Sequence, residues 1–355
     1  MYPILLLGLI WLTGNAQAHP TSYSPRSSSN VVSIAKTNFL GTVRSATTHV
    51  TRDLGFQGQI GQYVLLTYGD TMYSDGNYSD HWRGMTSDSV ALATKNPLVV
   101  IDPNLDDDGY PKQFCPVVKH FGEDPAECAL GITNVVETEP GQGILYFLLN
   151  HRPGGINNLK GAGVATVALS DTYPPVPSVK RLGQYWWDGE TEPWYGDVGA
   201  IRTNGYIYSY GHAKDNPWVY LARVRWQEVT SLDAYEYWNG DNFQKERLKT
   251  KDIGEKESVF WQINQGQVIW SEHFNEYLFV YCDNFWNSKV QARRAPAPEG
   301  PWSEAFELYQ AHPITEGSTC YAAVPHPYYD PSGKTLVVTF TNHPNTIQAV
   351  RVTFA

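Results

Sequence analysis

The chain has 355 residues, 42% hydrophobic and 14% aromatic but only 17% charged, with a formal net charge of −10. That composition supplies ample core for a folded protein, and the acidic balance without any basic run argues against nucleic acid or an anionic membrane as partner. Twelve Trp and 23 Tyr exceed what a core requires, and an acidic, aromatic-rich chain suits the handling of neutral carbohydrate.

Residues 1–18 contain an apolar run, 4–12, and end in Ala16-Gln17-Ala18. This is the small-x-small cleavage pattern of a secretory signal peptide, although the usual positive first residues are missing. The run is too short to span a bilayer. The mature chain is therefore expected to start at His19 as a secreted, extracellular monomer. A new amino-terminal His invites a copper brace, but Pro20 and the Ser-rich stretch after it offer no rigid frame. Residues 19–44 read as a flexible Ser/Pro-rich lead-in, and 45–355 as one catalytic domain. In an oxidising compartment the four Cys are expected to form two disulfides, and pairing Cys115 with Cys128 and Cys282 with Cys320 closes the shorter loops. Asn77-Tyr78-Ser79 is an N-glycosylation sequon.

Beyond the lead-in, helical periodicity is nearly absent. Short apolar runs separated by Gly, Pro, Asn and Asp recur to the end, as in an all-β fold. Five runs share one shape, an alternating strand closing on a small or polar residue and then Asp, His or Asn: 64–70, 145–151, 206–212, 277–283 and 336–342. Each is preceded by another strand candidate (48–54, 132–137, 197–202, 267–272, 321–326), and four are followed by one (164–169, 219–224, 289–295, 347–354). Five units of three or four strands, spaced under about 70 residues apart, predict a five-bladed β-propeller. A β-sandwich would not need the same strand ending five times.

In a propeller the innermost strands line a central funnel. Asp53, Glu137, Asp197, Glu272 and His326 are thus expected to face one cavity, joined by the strand endings Asp70, His151, His212, Asp283 and Asn342. Asp53, Asp70 and Asp197 form the acid–base trio, and His151, His212 and His326 are placed to hold hydroxyls. Within 51–74, Asp53 and Asp70 lie on neighbouring runs joined by a Gly-rich turn, so they can meet in space. Paired carboxylates suit glycosidic hydrolysis, in which one protonates the leaving oxygen and the other activates water or attacks.

Arg52-Asp53-x-Gly55 running into Gly69-Asp70-Thr71, then Ser87-Asp88-Ser89, resembles a secreted five-bladed propeller family that includes bacterial endo-D-arabinanases and shares its architecture with arabinanases, levansucrases and invertases. Pro217-Trp-Val-Tyr-Leu-Ala-Arg223, Tyr237-Trp-Asn-Gly-Asp-Asn-Phe243, Gly300-Pro-Trp-Ser303 and residues 330–336 are similar too, so the resemblance covers most of 45–355. It implies that Asp53 and Asp70 are the acid and base, with Asp88 the third choice. Leu54 departs from the family's pattern, standing where Gly is common, and residues 98–129 are an insertion.

Asp102-Pro-Asn104-Leu-Asp106-Asp-Asp108-Gly109 has the alternating oxygens of a Ca2+ loop, but later ligand positions hold Lys112 and Cys115, which favours a solvated acidic turn. No cofactor is otherwise expected, and no metal is assigned. Tyr185-Trp186-Trp187 and Trp194-Tyr195 surround Asp188, Glu190 and Asp197, where exposed rings would stack sugars, while packing between blades suits Trp187 equally well. The substrate-binding set is therefore Asp88, His151, His212, Trp194 and Asp283. Two alternatives stand beside a glycoside hydrolase. One is a polysaccharide lyase with His151 or His212 and Tyr210 shuttling the proton and Arg152 or Arg202 neutralising a uronate. The other is a glycan-binding propeller without turnover.

Overall fold

In the computed structural model of the chain, residues 32–73, 83–261, 263, 265–283 and 287–355 are described. The expected signal peptide, His19 and the sequon at Asn77 fall outside them. The described residues form five small sheets. Their innermost strands are Val50–Ile60, the broken pair Cys128–Ile132 and Val136–Glu139, then Ala200–Thr203, Gly266–Ser271 and Cys320–His326. Each of these packs beside the next, and the last returns to the first, so the sheets close into a five-bladed β-propeller.

The five repeated runs become the second strands: Tyr63–Tyr73, Gln142–His151, Tyr206–Ala213, Glu276–Cys282 and Thr335–Asn342. Their near-continuous apolar character follows from burial on both faces, since each sheet packs against two neighbours. Separate apolar clusters fill the junctions between adjacent sheets, as where Ile60, Leu65 and Val90 of the first meet Leu130, Leu145 and Val167 of the second. The inner hairpins turn tightly. Asn204 and Gly205, at φ 50° and 82°, supply the left-handed pair that a two-residue hairpin demands between Thr203 and Tyr206.

One boundary needs correction. The lead-in expected over 19–44 is not uniformly flexible, because Ile34–Thr42 is a strand that pairs antiparallel with Thr346–Phe354. The fifth sheet would otherwise expose an unpaired edge, and the start of the chain supplies the missing outer strand. The expected disulfides are a second correction: all four cysteines are free thiols. Cys115 and Cys282 are buried, and burial holds both thiols well above their ordinary value.

Two side-chain amides lock the ring from inside. Gln267 of the fourth blade exchanges hydrogen bonds with the backbone of Gln57 in the first, its Oε1 accepting at 3.0 Å and its Nε2 donating at 2.7 Å. Those blades are not neighbours, so this link crosses the channel. Asn134 makes the equivalent pair with the backbone of Ala200 at 2.8 and 2.9 Å.

Candidate active site

Asp53 sits in a doubly bulged stretch of the first inner strand. Register against Tyr63–Tyr73 slips between Arg52 and Leu54 and again between Leu54 and Phe56. Leu54 at φ 69° and Gly55 at φ 91° carry the two slips. A left-handed backbone favours glycine, which accounts for the glycine commonly found where this chain has Leu54. The leucine side chain offsets part of that strain by packing with Phe56, Tyr321, Ala322 and Val324. The fifth inner strand has a matching irregularity, with Ala322 at φ 52° and a register shift between Tyr321 and Val324. The two bulges bring Asp53 and Tyr321 together: the Tyr321 hydroxyl donates to Asp53 Oδ2 at 3.0 Å.

Asp70 lies across the ladder, where Arg52 pairs with Thr71 and Leu54 with Tyr68. Gly69 makes that approach possible, because a Cβ there would stand 2.3 Å from Asp53 Oδ1. Asn345 holds the pair from the fifth blade, accepting from the Arg52 amide and donating to the Asp70 carbonyl, both at 2.8 Å. Both carboxyls are buried, at 4% and 7% exposure. Burial raises Asp53 well above the ordinary carboxylate value, and the nearby Asp70 charge adds to it, while the Tyr321 hydrogen bond and Arg152 pull the other way. Asp70 is pushed up to about 6 by burial, against the pull of Arg152. Asp53 Oδ1 has no hydrogen-bond partner among the described residues. Asp53, Asp70, Arg152 and Tyr321 therefore form one electrostatic group. It can hold a proton on one carboxyl and a charge on the other. Gly69→Ala is expected to leave a folded chain but cut any activity of the pair by about 100-fold or more, since a 1 Å displacement of a reacting group costs that much; turnover and circular dichroism of the purified variant test it.

The other expected residues are dispersed. Asp197 and His212 do meet, through His212 Nδ1 at 3.2 and 3.1 Å from the two Asp197 carboxylate oxygens. The opposite ring nitrogen, Nε2, faces the Ile263 carbonyl at 3.2 Å. A carbonyl can only accept, so the protonated ring satisfies both contacts by donating from each nitrogen. Burial lowers the His212 pKa, but the Asp197 charge and these hydrogen bonds outweigh it and the net shift is upward. The sign follows: this contribution is complete below the ordinary value of 6.5 and is lost as pH rises through the raised one. His212→Gln should cost about 1–2 kcal/mol at pH 6 and clearly less at pH 9, as read by urea titration. The pair ties the approach to the third blade's inner strand to the end of its second strand, so Asp197 is engaged by His212 rather than by Asp53 or Asp70.

Asp88 is fully buried. Its carboxylate accepts from the amides of Phe114 and Cys115 at 2.9 and 2.7 Å, and from Gln113 and Ser87 at 3.1 and 3.2 Å. Burial pushes it up to about 7 in spite of these bonds. It anchors the inserted loop and has no face free for substrate, which corrects the sequence expectation. Trp194 is corrected for the same reason: at 4% exposure it lies in the core between the second and third blades with its indole donating to the Gly189 carbonyl, and Trp187 packs fully buried in the same seam. His151 faces Glu127 at 3.1 Å near the surface. Asp283 accepts from Asn287.

The single cavity expected for the five inner-strand residues is also corrected. Inner strands traverse the channel, so residues at their starts and ends reach different mouths. Asp53 and Asp197 lie at the starts, Glu137 and Glu272 at the far ends. His326 is a buried neutral imidazole between Thr339 at 2.7 Å and Tyr328 at 3.1 Å, lowered to about 3 by burial. The lyase set does not assemble: Tyr210 is buried with its hydroxyl on the Pro298 carbonyl at 2.8 Å, and Arg202 stands at the opposite mouth. In the acidic loop Asp102 binds Arg52 in a bidentate pair, and Asp106 turns back to accept from the Asp108 and Tyr110 amides. No group of three metal-ligating side chains converges among the described residues. Sequence reading singled out Arg152 only as a uronate partner and missed Tyr321, whose one signal was its place at the start of the fifth inner strand.

The molecule thus belongs to the five-bladed propellers with a buried carboxyl pair at one mouth. More narrowly, the chain belongs to the family described as "Domain of unknown function (DUF4185)", whose model matches residues 172–350. Among solved structures it is similar to a "putative hydrolase" from Bacteroides ovatus ATCC 8483, at 14% identity over 87% of both chains with a TM-score of 0.65, which shows a shared fold. It also matches a family 117 glycoside hydrolase from Zobellia galactanivorans, at 12% identity over 89% of this chain and 90% of that one, TM-score 0.49. A third match is the GH43_1 enzyme from Xanthomonas citri complexed with xylose, at 11% identity over 89% of both chains, TM-score 0.48. No curated protein matches the sequence.

Proposed function

We propose that the chain is a secreted glycoside hydrolase acting on a neutral poly- or oligosaccharide. The observation that carries this reading is the pair of buried carboxyls, Asp53 and Asp70, both raised by burial and Asp53 further by the Asp70 charge, on either side of Gly69. Two like charges in one buried site do not ionise together, so at neutral pH the pair keeps one proton. Asp53, the more deeply buried, is the carboxyl that retains it and protonates the glycosidic oxygen. Asp70 carries the charge that activates water or attacks the anomeric carbon. Arg152 limits the repulsion between them and orients the charged partner, and Tyr321 fixes the Asp53 carboxyl by its hydrogen bond. The hydrolase description of the Bacteroides ovatus protein and the resemblance of the Arg52-Asp53 and Gly69-Asp70-Thr71 motifs to endo-D-arabinanases are in keeping with this.

The test is a screen of the purified chain against plant, fungal and bacterial polysaccharides. New reducing ends without ultraviolet-absorbing unsaturated products are expected. Unsaturated products would establish a lyase instead, and binding without any product over long incubation would leave only a glycan-binding propeller.

A further inference from the structure

At the mouth opposite Asp53 and Asp70 lies a cavity of about 590 Å³, within the range of small-ligand sites. Its floor is the Gln57–Gln267 amide link that crosses the channel, so it is a separate compartment from the carboxyl pair. Gln59, Glu137, Arg202, Asn204, Trp226 and Trp270 stand in its wall. The hairpins at this end are tight, so the wall is built before any ligand arrives.

The charges in the wall are already engaged. The Arg202 guanidinium lies 4.2 Å over the Trp226 ring and donates to the carbonyls of Glu137 and Thr138 at 2.9 and 3.1 Å. Glu137 Oε1 accepts from the Gly61 amide at 2.8 Å. One cation and one anion cancel, which offers little to a charged ligand. Gln59 donates its amide nitrogen to the Gly61 carbonyl at 2.7 Å and Asn204 donates to the Tyr277 hydroxyl at 3.4 Å, so what these two amides offer a ligand is their carbonyl oxygens, which accept from hydroxyls. Trp270, by contrast, leaves an indole 38% exposed, beside those amides. An indole face for CH groups and amides for hydroxyls together suit a neutral sugar.

We propose that this cavity is a second glycan-binding site, which holds a neutral oligosaccharide segment without cleaving it. It rests on the carbohydrate reading above for its ligand class. Among the described residues Glu137 is the one acid in its wall, so it holds no carboxylate pair there and binds without turnover.

Affinity electrophoresis of the full chain carrying Asp70→Asn, in gels containing soluble arabinan, arabinogalactan, xylan or β-glucan, tests this. At least one polysaccharide should retard it, and adding Trp270→Ala, a surface change, should weaken that retardation about tenfold in Kd. Gln59→Ala should weaken it in the same direction. Retardation unchanged by both substitutions, or absent with all four polysaccharides, overturns the proposal. Hydrolysis is read separately on the unaltered chain. Absence of turnover together with Trp270-dependent retardation would remove the hydrolase reading and leave this site standing.

Discussion

Asp70→Asn is expected to lower hydrolysis by about 100- to 10,000-fold while leaving the fold as stable as the parent, or more stable, at neutral pH. The Asp70 carboxyl has an ordinary value of 3.8 and is pushed up to about 6 in the folded chain by burial. The folded state therefore binds this proton more tightly than the unfolded state. Its contribution to stability is complete below 3.8 and is lost as pH rises through about 6. Above that, the buried charge costs about 1–3 kcal/mol, and an amide of the same shape removes the cost. Urea titrations at pH 4 and pH 7.5 should show the variant gaining on the parent only at the higher pH. The parent's activity should fall on the acid side near pH 6, where the second carboxyl of the pair takes up its proton. Unchanged turnover in the variant, or a variant that fails to fold, would remove Asp70 from the reaction.

Arg52→Ala should be the more damaging change to stability, by about 3–5 kcal/mol, because it leaves a buried carboxylate without its partner. Arg52 donates to both Asp102 oxygens, at 2.8 and 3.0 Å, and both residues are nearly inaccessible at 5% and 3% exposure. Its guanidinium also lies 4.6 Å over the Tyr68 ring. Burial pushes Asp102 up, but the Arg52 charge and the hydrogen bonds from Arg52, Ser45 and Thr48 hold it below the ordinary value. This pair therefore stabilises the chain above the ordinary carboxylate range and loses its effect as pH falls through the lowered value. Replacing both partners, Arg52→Met with Asp102→Leu, should recover much of the loss, since no unpaired charge remains. Guanidinium denaturation of the two single variants and the double variant checks this. A single variant as stable as the parent would show that the pair contributes nothing. Because Arg52 directly precedes Asp53 in the bulge, the single variant should also lose activity.

The five strand endings could be read because a residue buried on both faces of a packed sheet must be apolar, and because the chain then turns at a polar residue. Each of the five runs lies within one residue of a second strand of a blade. The Asp53–Asp70 meeting was legible for a local reason. Both residues belong to one hairpin, and Gly69 leaves the space for their approach. Leu54 was visible as a departure from the family's glycine, and its backbone at φ 69° gives the departure its physical meaning. Asp88 and Trp194 failed as substrate contacts, and His326 as a holder of hydroxyls, because residue type does not report which side of a strand faces the channel. Asp88 was spent on anchoring an inserted loop, and the tryptophans on the seam between two blades.

Alternation, turn residues and the fivefold repeat were sufficient by themselves to specify an all-β propeller and one hairpin carrying two carboxylates. These are short-range properties, written in neighbouring positions along the chain. Tertiary structure alone decided that Tyr321 and Arg152 complete the group. It also decided that His212 closes on Asp197, and that Gln267 divides the channel into two mouths. Each of those contacts joins residues far apart in the chain, and their meeting depends on how five twisted sheets are angled around a common axis, which no local pattern encodes.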